Sequence, residues 1–251
     1  MPRKYRITEV GQYHIINRGV EGREVFEESA DFHYFLELLR FIKKRFGVVV
    51  HSYTLLSDHY HLLIETSDTN IGEVMQYLNS GYSKYFNKKH GRRGHLWQGR
   101  YSSYYLHEDM PFLNVVKYIE RNALVLNLVI NVSEYPYQSL YLRQNSSTYS
   151  DVIKESDIYK MSEGEYLQHL QTPLDGYAMK NIYRDATVRK NDDGTHTVLS
   201  KSIGSFFESD NELGRNDKII AAKEYGFSQV LIAEYLGLST ALVSKIISGK
   251  I

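Results

Sequence analysis

The sequence predicts an α+β fold, in which a ferredoxin-like sheet of the split βαβ type is followed by a C-terminal segment of short helices. Three observations support this prediction. Strand-like and helix-like patterns follow one another in the order β-α-β-β-α-β, with one further helix behind them. Only Ser57-Asp58 separates the second strand from the third, which predicts a hairpin. The last 35 residues contain three short helical periods, at 217–225, 228–236 and 240–248, divided by glycines.

The individual elements follow from the spacing of apolar residues. Strands are predicted at 11–18, 48–56, 59–66 and 95–106, and helices at 29–46, 71–87 and 107–126. Ser29 is the expected N-cap of the first helix. In the second helix Tyr82 and Tyr85 fall on the apolar stripe, so packing accounts for both. In this strand order the first and third strands lie at the centre of the sheet.

Composition excludes several kinds of site. The chain has 251 residues, a formal net charge of zero and no cysteine, so disulfides, thiolate nucleophiles and cysteine-based zinc sites are excluded. No window approaches eighteen apolar residues, and Met1-Pro2-Arg3-Lys4 is not followed by an apolar signal region. We therefore expect a cytoplasmic protein, with neither secretion nor a membrane partner.

Positive charge is concentrated between residues 84 and 100, where Asp and Glu are absent. This basic segment suits a nucleic-acid backbone, although a solvated basic loop is the alternative. Its cations are Lys84, Lys88, Lys89, Arg92, Arg93 and Arg100.

Three regions are predicted along the chain: a sheet domain at 1–143, a linker and partly helical extension at 144–215, and a helix-turn-helix segment at 216–251. In the last region Ala233 and Gly237 provide the small residue and the tight turn that let two helices cross closely. Ser228 and Ser239 are the expected caps of the second and third helices. Many helical hairpins share this pattern, so DNA binding is the favoured interpretation and not the only one. The expected core residues are Ile232, Leu236, Leu238, Val243 and Ile246.

His59 and His61 are two residues apart on the third predicted strand, so their side chains point to the same face. Two neutral imidazoles in this arrangement make half of a divalent-metal site. A pair of packed or surface histidines is the alternative.

Tyr118 lies off the apolar stripe of the helix predicted at 107–126 and in line with Asn114, Arg121 and Asn122. Its hydroxyl is thus available for chemistry or for water, and position alone does not separate a nucleophile from a surface tyrosine.

Four motifs together resemble the single-tyrosine HUH transposases, and within them the REP-associated tyrosine transposases, over about residues 8–143. They are Asn17-Arg18-Gly19, His59-Tyr60-His61, Asn87 with Gly94-His95-Leu96-Trp97-Gln98-Gly99-Arg100-Tyr101, and Tyr118-Ile119-Glu120-Arg121-Asn122. Two departures stand out. Leu56-Ser57-Asp58 replaces the family's Met-Pro-Asn, and Ala123 stands where the family has proline.

The resemblance implies that Tyr118 attacks a phosphodiester of single-stranded DNA, which leaves a 5′-phosphotyrosine and a free 3′-hydroxyl. A phenol with a pKa near 10 is a weak nucleophile at neutral pH, so the developing charges need stabilisation. The resemblance implies Mg²⁺ or Mn²⁺ on His59, His61 and Asn122, where a metal would polarise the phosphate. Whether Tyr118 acts in its own subunit or across a homodimer stays open.

The expected partner is DNA, mainly single-stranded or hairpin, with duplex contact by the tail. The six cations of the basic segment would hold the backbone, His95, Trp97 and Tyr101 would stack on bases, and Thr240, Ala241, Ser244 and Lys245 would meet a major groove. Two other functions fit the sequence: a non-catalytic helix-turn-helix regulator, and a metal-dependent hydrolase or nuclease that uses metal-bound water.

Overall fold

The structure is a computed structural model that describes residues 6–106, 112–145, 147–183, 186–191, 193–208 and 213–250. The predicted opening of the third helix, at 107–111, lies outside these residues. Contacts divide the described chain into two units, one of residues 6–106 and 112–183 and one of residues 186–250. The borders predicted at 143 and 215 fall inside these units. Residues 147–183 belong to the first unit because Ile158, Tyr166 and Leu170 pack in one core with Val115 and Ile119.

The elements of the first unit are β1 (Gly11–Arg18), α1 (Ser29–Phe46), β2 (Val49–Leu55), β3 (His59–Thr66), α2 (Ile71–Lys89), β4 (Ser102–Tyr105), α3 (Phe112–Glu120), α4 (Asn122–Val125), α5 (Ser139–Gln144), α6 (Glu163–Gln171) and α7 (Gly176–Asn181). Those of the second are β5 (Val188–Lys190), β6 (His196–Val198), α8 (Gly204–Phe207), α9 (Arg215–Tyr225), α10 (Gln229–Leu236) and α11 (Thr240–Ile247).

The first unit is built on a four-stranded antiparallel sheet of order β2-β3-β1-β4, so β1 and β3 are central as predicted. A mixed fold of helices on an antiparallel sheet is thereby confirmed. The β1–β3 ladder runs from Gly11 opposite Thr66 to Arg18 opposite His59, and it places Ile16 opposite His61. The two histidines therefore lie on a central strand whose backbone is fixed on both sides.

Side-chain alternation along β3 assigns one helix layer to each face of the sheet. Tyr60 points to the face covered by α1, where its ring centroid lies 4.9 Å from that of Phe35. His61 points to the opposite face, where α3 places the Tyr118 ring at 5.4 Å. The helix that follows β4, α3, thus covers the face of the sheet that carries His61, which we call the histidine face, and forms part of a cavity there.

Three local predictions were wrong. Ser29 is the first residue of α1 and not its cap; Glu28 occupies the N-cap, and the Asp31 carboxylate accepts a hydrogen bond from its backbone N–H at 3.1 Å. The fourth strand spans only Ser102–Tyr105, because Gly99 adopts φ +105°, a left-handed conformation that interrupts an extended chain. The third helix does not run unbroken to Leu126, since α3 ends at Glu120 and α4 begins at Asn122.

The second unit contains the three tail helices close to the predicted positions. Ser228 and Ser239 cap α10 and α11 by accepting from Leu231 N and Leu242 N. Gly237 ends α10 in the left-handed region at φ +67°. The predicted core residues all belong to one apolar cluster, in which Ile232, Val243 and Ile246 are buried and Leu236 and Leu238 partly buried.

The directions of α10 and α11 differ by 117°. In the described part of the chain, no single helix has the length and apolarity needed to cross a membrane, although this bent pair passes the same test of length and composition.

Candidate active site

A cavity of about 670 Å³ opens beside the histidine face of the sheet, between β3, α3, α4 and the segment around α7. The predicted catalytic residue Tyr118 and the predicted metal ligands His59, His61 and Asn122 all line it. The other lining residues are Ile16, Arg18, Ser102, Tyr104, Lys117, Arg121, Val125, Leu126, Pro173, Leu174, Met179 and Tyr183. The structure therefore brings the histidine pair together with Tyr118 and Asn122, which follow it by 57 or more positions in the chain.

The two histidines are held as a pair with their rings nearly perpendicular. Their centroids are 5.1 Å apart with an interplanar angle of 78°, and His59 is 7% exposed and His61 2% exposed. Nδ1 of His59 donates to Oδ1 of Asp58 at 2.5 Å, so the ring's other nitrogen is left for a ligand. Asp58 also lies 3.6 Å from the Arg18 guanidinium. The aspartate that departs from the family pattern thus orients one member of the pair.

His14 is a third histidine at this site, and it was not predicted from the sequence. Its Nε2 lies 3.1 Å from Nδ1 of His61, and the two rings stack with centroids 5.4 Å apart. Burial lowers the pKa of His14 to about 4, and burial, followed by the nearby His14 and His59, lowers the pKa of His61 well below its usual value. Both rings are therefore neutral at pH 7, the state that metal ligation requires.

The signal for His14 was present in the sheet register. His14 and Ile16 point to the same face of β1, and Ile16 pairs with His61, so His14 is a diagonal neighbour of His61.

Tyr118 lies edge-on to this histidine cluster. Its ring centroid is 5.4 Å from that of His61 at 81° and 5.7 Å from that of His14 at 69°. Its hydroxyl shares a hydrogen bond with the hydroxyl of Tyr183, which follows α7. No role for Tyr183 is predicted from the sequence, because no periodic pattern links it to α3.

Three cations line the cavity, and they suit an anionic ligand. Arg18 comes from the end of β1, and Lys117 and Arg121 flank Tyr118 on and just beyond α3. Burial, assisted by Arg121, lowers the pKa of Lys117, whose Nζ donates to Oγ1 of Thr172 at 3.1 Å. No Asp or Glu occurs among the described lining residues.

The donor set fits a divalent metal with nitrogen and oxygen ligands. Two imidazoles bound side by side, with metal–nitrogen distances of about 2.1 Å, have ring centroids roughly 5 Å apart. The 5.1 Å between His59 and His61 agrees with this spacing. Across the described residues no group of three or more His, Cys, Asp or Glu side chains is arranged to hold an ion. Asn122, which is 7% exposed, lines the same cavity and offers an amide oxygen as a third ligand.

Residues 8–122 match the model of the IS200-like transposase family. We refer to this region, slightly less than half of the chain, as the IS200-like domain. Its borders enclose both histidines, His14, Tyr118 and Asn122, and they leave Tyr183 outside. Because the matched region contains the predicted catalytic residue and the predicted metal ligands that line the cavity, the cavity is the candidate active site. A search of curated proteins gives no match to the sequence.

Two solved structures are similar to the chain at low identity. A REP-associated tyrosine transposase bound to a REP hairpin is 16% identical, with a TM-score of 0.46, over 56% of this chain and 82% of its own. A proposed transposase from Deinococcus radiodurans R1 is 18% identical, with a TM-score of 0.33, over 51% of this chain and 93% of its own.

The predicted DNA-binding cations of the IS200-like domain differ in their surroundings. Lys89 is paired with Glu28 and, at 2.9 Å, with Asp31, so its charge is locally compensated. Arg92 is half-buried, with its guanidinium 5.7 Å from the Phe86 ring centre. The remaining cations and one histidine are exposed: Lys84, Lys88, Arg93, His95 and Arg100.

The two aromatic residues predicted to stack on bases are largely covered. Trp97 is 9% exposed, donates from Nε1 to the Asn79 carbonyl at 3.1 Å and packs edge-on against Tyr60. Tyr101 is 8% exposed, with the Arg6 guanidinium 4.0 Å from its ring centre. Both rings have packing roles in the IS200-like domain.

In the second unit the predicted groove-facing residues of α11 are all exposed. They are Thr240, Ala241, Ser244 and Lys245, on the side of the helix opposite Val243 and Ile246.

Proposed function

We propose that the protein is a metal-dependent single-stranded DNA endonuclease and strand transferase of the REP-associated tyrosine type, with Tyr118 as nucleophile and a 5′-phosphotyrosine intermediate. One observation supports it above the others. The Tyr118 ring lies edge-on to His61 in a cavity also lined by His59 and Asn122. This reaction needs a nucleophile close to a metal site, and Tyr118 lies close to three candidate metal ligands in the IS200-like domain.

The reaction is a transesterification that conserves the number of phosphodiester bonds. The Tyr118 oxygen forms a bond to phosphorus as the bond from phosphorus to the 3′-oxygen breaks. The phenol loses its proton and the released 3′-oxygen gains one. The free 3′-hydroxyl can attack the phosphotyrosine in the reverse direction, which rejoins strands.

The residues around Tyr118 stabilise the charge that develops on the phosphate. Lys117 and Arg121 line the cavity on either side of Tyr118, and Arg18 lines it from β1. Fixed cations in a partly dehydrated site lower the barrier more than they would in water. They also orient the DNA backbone before the reaction.

His59, His61 and the amide oxygen of Asn122 would hold Mg²⁺ or Mn²⁺. A bound divalent ion supplies Lewis-acid polarisation of the phosphate and neutralises charge on the leaving oxygen. Two nitrogen ligands favour Mn²⁺ over Mg²⁺, which prefers oxygen. Asp58, through its hydrogen bond to Nδ1, keeps His59 in the tautomer that leaves Nε2 unprotonated.

The proposed partner is DNA, single-stranded or hairpin at the first unit and duplex at the tail. The exposed cations Lys84, Lys88 and Arg93 suit a phosphate backbone. An angle of 117° between α10 and α11 falls within the range of helix-turn-helix motifs, and α11 exposes its polar side. These last observations also favour the second candidate, a helix-turn-helix regulator without catalytic activity.

Covalent capture tests the proposal. The full chain is incubated with Mn²⁺ and a pool of 3′-labelled single-stranded oligonucleotides, with and without hairpins, and then separated on a denaturing gel. We expect a labelled adduct whose peptide carries the nucleotide on Tyr118. Tyr118→Phe should abolish it, while Tyr104→Phe, which changes another tyrosine of the same cavity, should retain it.

Each alternative gives a different result. Strand cleavage without an adduct would indicate a hydrolase, and DNA binding without cleavage would indicate a regulator. An adduct on Tyr118→Phe would exclude Tyr118 as the nucleophile.

A further inference from the structure

His14 is fully buried in the middle of β1, where a polar ring costs free energy unless both of its nitrogens have partners. Both do. Nδ1 lies 3.4 Å from the carbonyl oxygen of Ile182, and Nε2 lies 3.1 Å from Nδ1 of His61. The ring is also enclosed by Tyr104, Tyr118 and Tyr183, with centroid distances of 5.9, 5.7 and 6.1 Å. Its position and its orientation are therefore fixed by the surrounding protein.

The partners determine which nitrogen holds each proton. A carbonyl oxygen only accepts hydrogen bonds, so Nδ1 of His14 must be the protonated nitrogen. In a neutral imidazole the other nitrogen is then an acceptor, and Nε2 of His14 can accept only from a protonated Nδ1 of His61. That leaves Nε2 of His61 without a proton. The reverse assignment would set the bare Nδ1 of His14 against the lone pairs of the Ile182 carbonyl.

We infer that His14 is a positioning residue that selects the Nδ1–H tautomer of His61 and so keeps Nε2 of His61 available to a divalent cation. His14 does not touch the ion or the DNA. His14 thus fixes the tautomer of His61 by a hydrogen bond at Nδ1, as Asp58 does for His59. We call the hydrogen-bonded chain from the Ile182 carbonyl through His14 to His61 the relay. Its role in metal binding rests on the proposed metal site, whereas the tautomer of His61 does not.

The relay also depends on a residue outside the IS200-like domain. The carbonyl that fixes His14 belongs to Ile182, which is buried, 60 residues beyond the end of the family match at Asn122. The segment around α7 therefore takes part in setting the protonation pattern of a ligand on β3.

The first test measures the tautomer directly in the metal-free protein. Long-range proton–nitrogen NMR correlations distinguish protonated from bare ring nitrogens, and the signals of His61 are assigned by their absence in His61→Gln. We expect Nδ1 of His61 to be protonated and Nε2 bare. A proton on Nε2 of His61 in the natural protein would overturn the inference, whatever the protein does with DNA.

The second test uses a matched pair of variants at His14. His14→Phe keeps a planar ring and removes the acceptor; His14→Gln offers an amide oxygen near the former position of Nε2. Loss of an outer partner of a metal-bound histidine typically weakens metal affinity by about 10–100-fold. We expect Mn²⁺ titrations followed by electron paramagnetic resonance to show this loss for His14→Phe and substantial recovery for His14→Gln.

The outcomes separate the two proposals. If folded His14→Phe binds Mn²⁺ as the natural protein does, the positioning role is wrong, even if Tyr118 forms its adduct. If the natural protein has the expected tautomer but forms no adduct, the proposed function fails and the relay stands. Should His14→Phe not fold, the tautomer measurement on the natural protein decides.

Discussion

Glu120→Gln should destabilise the first unit, although it changes one atom of a residue that lines no part of the cavity. Glu120 is fully buried at the end of α3, two residues after Tyr118. Its Oε1 accepts from the hydroxyls of Ser52 (3.1 Å), Ser139 (2.5 Å) and Tyr166 (2.9 Å), and its Oε2 accepts from Leu140 N (3.1 Å). One carboxylate thus joins α3 to β2, α5 and α6.

The size of the effect follows from counting donors. An amide has one accepting oxygen, and all four partners of Glu120 are donors. The least costly placement keeps the oxygen toward the three hydroxyls and turns the NH₂ toward Leu140 N–H. A buried donor left without an acceptor costs about 1–3 kcal/mol. Burial raises the pKa of Glu120 despite these bonds, so removing the charge returns part of that cost. We expect a net loss of about 2 kcal/mol.

Thermal unfolding measured by circular dichroism tests this value. A loss of about 2 kcal/mol corresponds to a Tm lower by roughly 4–8 °C for a unit of this size. Glu24→Gln, on the exposed surface of the same unit, is the matched control and should change stability by less than about 0.5 kcal/mol. If Glu120→Gln unfolds at the same temperature as this control, the carboxylate does not anchor α3.

Three further predictions follow from the described contacts. His59→Ala or His61→Ala should weaken Mn²⁺ affinity by more than about 100-fold, because each variant removes a proposed metal ligand and not an outer partner. Excess EDTA should stop DNA cleavage by the natural protein, and cleavage that continues in EDTA would show that the two histidines only pack on the sheet. Lys245→Glu, exposed on α11, should weaken duplex binding in a gel-shift assay and spare cleavage of single strands, whereas equal loss of both would argue against separate roles. Asp31→Asn should lower stability by about 1–3 kcal/mol. Burial alone would raise the pKa of Asp31, but hydrogen bonds from Lys89, His90 and backbone amides hold it below its usual value. Because the folded pKa is depressed, the difference in free energy of unfolding between the natural protein and Asp31→Asn, measured in urea, should shrink only below about pH 4.

The sequence was sufficient where one local pattern decides the structure. The strand at His59–Thr66 and the helix at Ser29–Phe46 have the predicted bounds, because strand-favouring residues after a tight turn in one and a 3.6-residue period in the other leave little choice. The position of Tyr118 off the apolar stripe of its helix was evident for the same reason. Its neighbours Val115 and Ile119 are buried, which turns the other side of α3 toward the cavity.

The sequence was insufficient where a residue's environment depends on distant segments. Trp97 was expected to be open to bases, but the Asn79 carbonyl binds its indole and Tyr60 packs against it. The pairing of His14 with His61 requires the β1–β3 register, which a single sequence does not specify. Glu28 and Asp31 cap α1 in place of Ser29, a choice helped by the hydrogen bonds that Asp31 accepts from residues 58 and 59 positions further along the chain.

The segment around α7 shows why the family match alone does not define the candidate site. Ile182 accepts from His14, and the next residue, Tyr183, shares a hydrogen bond with the proposed nucleophile Tyr118. Two consecutive residues thus contact both halves of the site, the histidine cluster on the sheet and the tyrosine on α3. The same segment is anchored by burial of Ile182 in the core that contains Val115 and Ile119. Packing of residues 147–183 on the IS200-like domain therefore determines the geometry of the candidate site, and a shift of this segment would change the surroundings of Tyr118 and of His61 together.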